Sequence, residues 1–235
     1  GGGRVPAVLD EMPISKRMPP LRLLVRQFAK FAQGGALLAR LRLAGTDFGR
    51  GTRVTGARAD GGSLEVAASR VDPRGAVVPG SETVYRAGCL AVGFGFAANI
   101  ELAQLAGCAL AFNPGLGGWV VKVNEGLETS IDGIYAAGEV TAIGGAAKSL
   151  VEGQLAGFAI LRRMGLLKPA EMQTEIGALK RARRRLMAFA RYFNAQYGFA
   201  PDYMAAWIRG LPDDVAVCRC EEVNLGDIRR AVAEG

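Results

Sequence analysis

The spacing of apolar positions changes several times along the chain. "RVPAVLDE" at 4–11 is a short apolar run closed by acids, which predicts a short buried strand. "PPLRLLVRQFAKFAQGGALLARLRLAG" repeats its apolar residues at helical spacing, and Gly34-Gly35 predicts a break inside it. From Thr46 to about Val92 alternation takes over. "GTRVTGARA", "SLEVAASRVD" and "ETVYRAGCLAV" predict strands separated by turns at "DGG" and "DPRGAVVPG", together an antiparallel meander. "GCLAVGFGFAANIELAQLAGC" predicts strand, glycine turn and short helix, and "GWVVKVNE" and "GIYAAGE" predict two more strands. "GGAAKSLVEGQLAGFAILRRMG" carries an apolar helical stripe ended by Gly165, with Pro169 beyond. A strongly basic helix is predicted over 171–193, "YGFAPDYMAAWIRGLPDD" reads as a connector, and "VCRCEEVNLGDIRRAVAEG" starts something new. Glycines set within apolar segments suggest many tight strand-to-helix turns, as in α/β folds.

Composition narrows this picture. A chain of 235 residues that is 50% apolar holds one large or two modest domains with real cores. Its 33 glycines sit within apolar segments, as tight strand-to-helix turns require. No run of eighteen uncharged apolar residues appears, so no transmembrane helix is expected. The opening "GGGRVPAVLDE" lacks an initiator Met and reads like the middle of a protein. With His 0, no imidazole base, triad or ligand is available from this chain. Cys89 and Cys108 stand alone in apolar stretches and read as buried, inert thiols. Cys218 and Cys220 lie too close in sequence for an ordinary structural disulfide, and this usage implies a reducing compartment, the cytoplasm. A peripheral position at the inner face of the membrane fits the same reading. The net charge of +7 is concentrated locally.

Two glycine-rich stretches carry candidate chemistry. "GFGFAA" at 93–98 satisfies G-x-G-x-x-A between a strand and a helix. Phe94 and Phe96 are bulky where backbone must approach phosphate, so Gly93 and Gly95 are read as clearance under a nucleotide, not as the main pyrophosphate loop. "IYAAGEVTAIGGAAKS" at 134–149 is stronger: a parallel strand would deliver Glu139 at its carboxyl end, where open α/β sheets bind ligands. Ala136, Ala137 and Gly138 let a cofactor lie against backbone, and an ionised Glu139 can accept hydrogen bonds from sugar or polyol hydroxyls. Gly144, Gly145 and Ala146 then open a helix whose free amides favour anionic or electron-rich atoms. On pattern alone, a buried strand with a structural glycine turn and a solvated Glu is an equal reading.

"ETSIDGIYAAGEVTAIGGAAKSLVEGQLAG" resembles the last flavin-binding segment of the two-dinucleotide-domain flavoprotein reductases, T-x4-(I/V)-(F/Y)-A-x-G-D. Thr129, Ile134, Tyr135, Ala136 and Gly138 match, while Glu139 stands where Asp is usual. The resemblance implies FAD, with the acid on its ribitol and the helix start at the flavin and phosphates. "LAVGFGFAANIEL" is similar to the strand and turn leading back into the FAD domain, and 46–92 resembles the meander closing the inserted NAD-type domain. "GGGRVPAVLDE" resembles the strand after that domain's glycine loop, with Asp10 or Glu11 near a ribose position; NAD(P), ATP or nothing could occupy it.

"VCRCEEVNLGDIRRAV" resembles the start of a bacterioferritin-associated-ferredoxin-like 2Fe–2S domain, which implies that Cys218 and Cys220 supply half of the four thiolate ligands. Unaided, a C-x-C pair is open among cluster, zinc and redox thiols. The resemblances divide the chain into 1–88 (remainder of the inserted domain), 89–166 (C-terminal part of the FAD domain), 167–212 (basic helical linker) and 213–235 (start of the cluster domain). They imply a fragment of a partial Rossmann-like flavoprotein, continued at both ends.

This order of parts resembles the larger subunit of heteromeric opine oxidases, amino-acid dehydrogenases and hydrogen cyanide synthases. It implies a hetero-oligomer in which a partner flavoprotein subunit oxidises an amine or amino-acid substrate and this subunit relays electrons to the 2Fe–2S centre. No catalytic residue is assigned here: there is no His, no redox C-x-x-C beside the flavin turn and no paired catalytic acids. An NAD(P)H-dependent reductase of nitrite reductase type is the rival enzyme, and a basic nucleic-acid or partner-binding module the rival of another class. "LKRARRRLMAFARYF" at 179–193 offers Arg181, Arg183, Arg184 and Arg185 beside Phe189, Tyr192 and Phe193, but reads better as a helix with packed aromatics and paired or solvated arginines, so no nucleic-acid partner is expected.

Overall fold

The structure, a computed structural model, describes residues 3–12, 19–93, 95–167, 172–197, 205, 207–218 and 220–235. Phe94, Pro169 and most of the connector at 198–206 lie outside the described residues. The chain forms two compact units, residues 1–15, 44–90 and 199–235 in one, and 16–43 with 91–198 in the other. The helices at 21–43, expected within the first domain, group instead with residues 91–198.

In the first unit β1 (Ala7–Asp10) runs parallel to β2 (Asp47–Arg50), with Ala7 opposite Asp47. Buried Thr46 secures the entry to β2 by donating its hydroxyl to the Val5 carbonyl at 2.9 Å. The meander is β3 (Thr52–Asp60), β4 (Ser63–Arg70) and β5 (Thr83–Ala87), antiparallel in that spatial order. Gly61 and Gly62 at φ +52° and +87° make the two-residue hairpin turn that twisted strands favour. Alternation buries Val66 and Ala68 on central β4. The "DPRG" turn closes because the Asp72 carboxylate accepts the Arg74 and Ala76 amides at 2.8 and 2.9 Å. Tyr85 on β5 donates to Asp47 at 2.5 Å, and burial first, then that carboxylate, pushes its phenol up to about 12.

In the same unit β8 (Ala216–Cys218) pairs antiparallel with β9 (Val223–Asn224), which leads into α6 (Leu225–Glu234). Asp227 in the first turn accepts the Asn224 backbone amide at 2.8 Å, so the helix does open at Gly226-Asp227.

The second unit begins with α1 (Leu21–Arg26) and α2 (Phe28–Leu43). The break falls at Gln27, and Gly34-Gly35 lie inside α2, against the sequence expectation. A glycine lowers helix stability by about 1 kcal/mol, too little to stop a helix held by neighbouring turns. No strand forms at 88–93, and the described residues from there to the short helix α3 (Glu101–Leu105) hold none. Cys89 is exposed, not buried, whereas Cys108 is buried as expected.

The unexpected strand β6 (Leu110–Asn113) pairs antiparallel with β7 (Gly118–Val121) around a 3-10 turn at Pro114–Leu116. The second predicted strand, at 133–139, also fails as a parallel strand. Its one bridge is antiparallel, Tyr135 to Glu128, and no parallel neighbour lies beside it among the described residues. Then come α4 (Ala146–Arg163), closed by Gly165 at φ +70°, and α5 (Gln173–Tyr197). The core gathers Leu127, Leu155 and Ala156 with Tyr135, Ala137, Ile176 and Leu179 around them. On α5, Phe189 and Phe193 pack on Phe31 of α2, with ring centroids 5.7 and 6.3 Å away.

Candidate functional site

The chain from Ile134 to Gly138 is held by the Ala136 amide donating to the Leu127 carbonyl and the Thr129 amide donating to that of Ile134, at 2.9 and 2.8 Å. It then turns sharply at Gly138, whose φ of +93° and ψ of −152° suit only glycine. A 3-10 turn at Glu139–Thr141 follows, and Gly145 at φ +82° starts α4. Every direction change in this segment therefore has a residue that permits it.

The half-buried Glu139 folds back over the start of α4. Its Oε1 accepts the Gly145 amide at 2.8 Å, Gly144 donates to both carboxylate oxygens at 3.3 Å, and the Ser149 hydroxyl donates to Oε1 at 3.4 Å. The carboxylate thus caps the positive end of an 18-residue helix. Oε2 carries only its share of the Gly144 bond and retains capacity for a hydroxyl donor. The amides of Ala146 and Ala147 have no acceptor among the described residues, and both residues, with Gly145, are exposed.

Beneath this turn lies a charge pair that sequence reading did not single out. Lys148 and Glu152 are both 0% exposed, with Lys148 Nζ 2.7 Å from Glu152 Oε2. Lys148 donates to the Gly138 carbonyl at 2.5 Å, the Thr141 hydroxyl at 2.6 Å and the Ala142 carbonyl at 3.0 Å. Glu152 accepts the Gly138 amide at 2.9 Å, the Thr141 hydroxyl at 2.7 Å and Arg183 Nε at 2.8 Å. Burial alone pushes the Glu152 carboxyl up, but bonds from Lys148, Thr141 and Arg183 outweigh it and hold it below the usual glutamate range. Burial pulls the Lys148 ammonium below the usual lysine range, and Glu152 offsets only part of that. The signal was present in the sequence: opposite charges four residues apart on the face of α4 that buries Leu155 and Ala156.

The structure therefore brings Gly138, Glu139, Gly144, Gly145 and Ala146 into one turn. Gly93 and Gly95 are exposed, Gly95 at φ +94°, and no hydrogen bond joins them to that turn among the described residues. Asp10 accepts the Met12 amide at 3.1 Å, and Glu11 is ion-paired to Arg53 at 2.5 Å. Cys218, half-buried at the end of β8, and exposed Cys220 are free thiols in the other unit.

The turn fits one end of a dinucleotide cofactor: small exposed residues, two free helix-start amides and an oriented carboxylate with an open oxygen. The sequence profile of the pyridine nucleotide-disulphide oxidoreductases matches residues 21–173, which include the whole turn and α4. The chain belongs to this family. The matched region is an FAD/NAD-dependent oxidoreductase domain.

Among its relatives is the hydrogen cyanide synthase component HcnB of Pseudomonas aeruginosa, 27% identical over 100% of this chain and 49% of the relative. An opine oxidase subunit of Rhizobium meliloti is 28% identical over 97% of this chain and 39% of the relative. The corresponding opine oxidase subunit of Rhizobium meliloti strain 1021 is 31% identical over 57% of this chain and 28% of the relative. The chain spans at most about half the length of these relatives. No helix among the described residues is long and apolar enough to cross a membrane.

Proposed function

We propose that this chain supplies one side of an FAD site in an electron-relay subunit of a hetero-oligomeric, cytoplasmic oxidoreductase. The observation that carries the reading is the Glu139 carboxylate, held between Gly138 and the open amides of Ala146 and Ala147 at the head of α4. In it, Glu139 Oε2 accepts a cofactor hydroxyl while Oε1 keeps the helix capped, and the Ala146 and Ala147 amides donate to electron-rich cofactor atoms. Gly145, exposed with open space beside it, admits the cofactor to the backbone, Gly138 and Gly144 shape the turn beneath it, and Gly93 and Gly95 give clearance elsewhere. Bound FAD would supply exchange of one or two electrons, and the protein its placement and electrostatics.

The electron source is an amine or amino-acid substrate oxidised on a partner subunit. The relatives' names, a hydrogen cyanide synthase subunit and opine oxidase subunits, support this. The acceptor is a 2Fe–2S centre to which Cys218 and Cys220 contribute two of the four thiolates such a cluster needs. The described residues hold no group of three or more His, Cys, Asp or Glu placed to bind a metal.

Purification of the intact subunit without air, followed by absorption and EPR spectroscopy, tests the reading. A flavin spectrum and a reduced-cluster signal are expected, and Glu139→Gln lowers flavin occupancy. The rival is an NAD(P)H-dependent reductase, which the family's pyridine-nucleotide chemistry favours. Rapid bleaching of the flavin on mixing with NADH would select that rival over the amine relay.

A further inference from the structure

Helix α5 begins at Gln173, where the match to the family profile ends. It nevertheless reaches the cofactor turn at two places. Arg183 Nε donates to Glu152 Oε1 at 2.8 Å, and the other Glu152 oxygen accepts the Gly138 amide and the Thr141 hydroxyl. Asn194 Nδ2 donates to the Ile143 carbonyl at 3.0 Å and to the Gly115 carbonyl at 3.4 Å. Arg183 and Asn194 are eleven residues apart, close to three helical turns, so they project from one face about 16 Å apart. Ile176 and Leu179 dock the same helix on the core beneath Leu127 and Leu155, and Ala190 is buried between the two polar contacts. The ends of the 138–143 turn are thus tied to one rigid element through Arg183 and Asn194.

We propose that α5 is a clamp on the cofactor turn, with Arg183 and Asn194 as positioning residues that hold Gly138 and Ile143 so that Glu139 and the head of α4 face the flavin. The inference rests on the FAD reading of that turn. Arg183 acts through Glu152: its guanidinium engages Oε1 of the buried carboxylate, leaving Oε2 to Lys148, the Gly138 amide and Thr141. Asn194 fixes the other end by bonding a carbonyl next to Gly144, whose amide binds Glu139. The pairing also accounts for an arginine on the buried face of a helix whose charge density suggests a surface patch.

The test uses the flavin-free form of the intact protein, titrated with FAD and followed by flavin fluorescence, with amide hydrogen exchange recorded before FAD is added. Arg183→Met weakens FAD binding about tenfold and Asn194→Ala about threefold, while Arg183→Lys restores part of the affinity. The exposed Arg181→Met is the control and leaves the affinity unchanged. Exchange in both weakened variants rises at 136–145 and stays unchanged across 150–163, which a purely structural loss would not produce. Wild-type affinity in Arg183→Met and Asn194→Ala would overturn the clamp and leave the FAD reading standing. Protection lost throughout α4 and α5 would make the two residues scaffold alone and overturn it equally. Absence of FAD binding by the wild-type protein would overturn the FAD reading itself, and the clamp with it.

Discussion

A Cβ added at Gly117 would stand 2.4 Å from Ile143 Cγ1 and 2.8 Å from its Cβ, at a φ of +96°. At Gly138 the obstacle is different: the nearest atoms, in Ser149, lie at 3.5 and 3.6 Å, and only the φ of +93° resists a side chain. Gly138→Ala is therefore expected to lower unfolding stability by about 1–3 kcal/mol through backbone strain. Gly117→Ala adds overpacking against Ile143 and is expected to lower it by about 2–5 kcal/mol. Urea denaturation of the two variants checks the order, which reverses if Ile143 can swing aside without loss. Neither distance follows from local sequence, because Gly117 and Ile143 meet only when the β6–β7 turn packs against the 138–146 turn.

At the level of elements, α2 offers a test of the misplaced break. Both Gly34 and Gly35 lie within the helix, and a Cβ at either meets nothing within 4 Å. Each changed to Ala is expected to raise stability by about 1 kcal/mol, measured by thermal or urea unfolding; a loss would mean that a hinge is needed there. For α4 the expectation concerns acid. The folded value of Glu152 lies below the unfolded one near 4.5, so its stabilising effect is complete above that pH and is lost as pH falls through the folded value. The urea midpoint should hold from pH 7 to pH 5 and drop by pH 3, and Glu152→Gln should flatten that slope. The basic character of α5 is likewise resolved by packing: Lys180 pairs with Glu125 at 2.6 Å, Arg183 with Glu152, and its aromatics close on Phe31.

Over the whole molecule, the Gly138–Ala146 turn and the C-x-C pair belong to separate compact units. Cys218→Ser and Cys220→Ser in the intact protein are expected to remove iron and the reduced-cluster signal while leaving flavin content unchanged; iron retained in both variants would sink the ligand assignment. The α/β class, the meander with its "DGG" and "DPRG" turns, α4 and its glycine stop, α5, and the helix opened by Gly226-Asp227 were all legible in the sequence. Each depends on side-chain periodicity or on a turn residue acting within a few positions. The grouping of Gly138, Glu139 and Gly144 to Ala146 was legible for the same reason, since the residues are neighbours in the chain. Tertiary structure decided the rest: β6 beside β7, the single antiparallel bridge of Tyr135 to Glu128 in place of a parallel strand, the burial of Lys148 with Glu152, and the reach of Arg183 and Asn194. These rest on contacts between residues as much as 79 positions apart, as for Asn194 and Gly115, and no local pattern encodes which distant group will satisfy a buried charge or carbonyl.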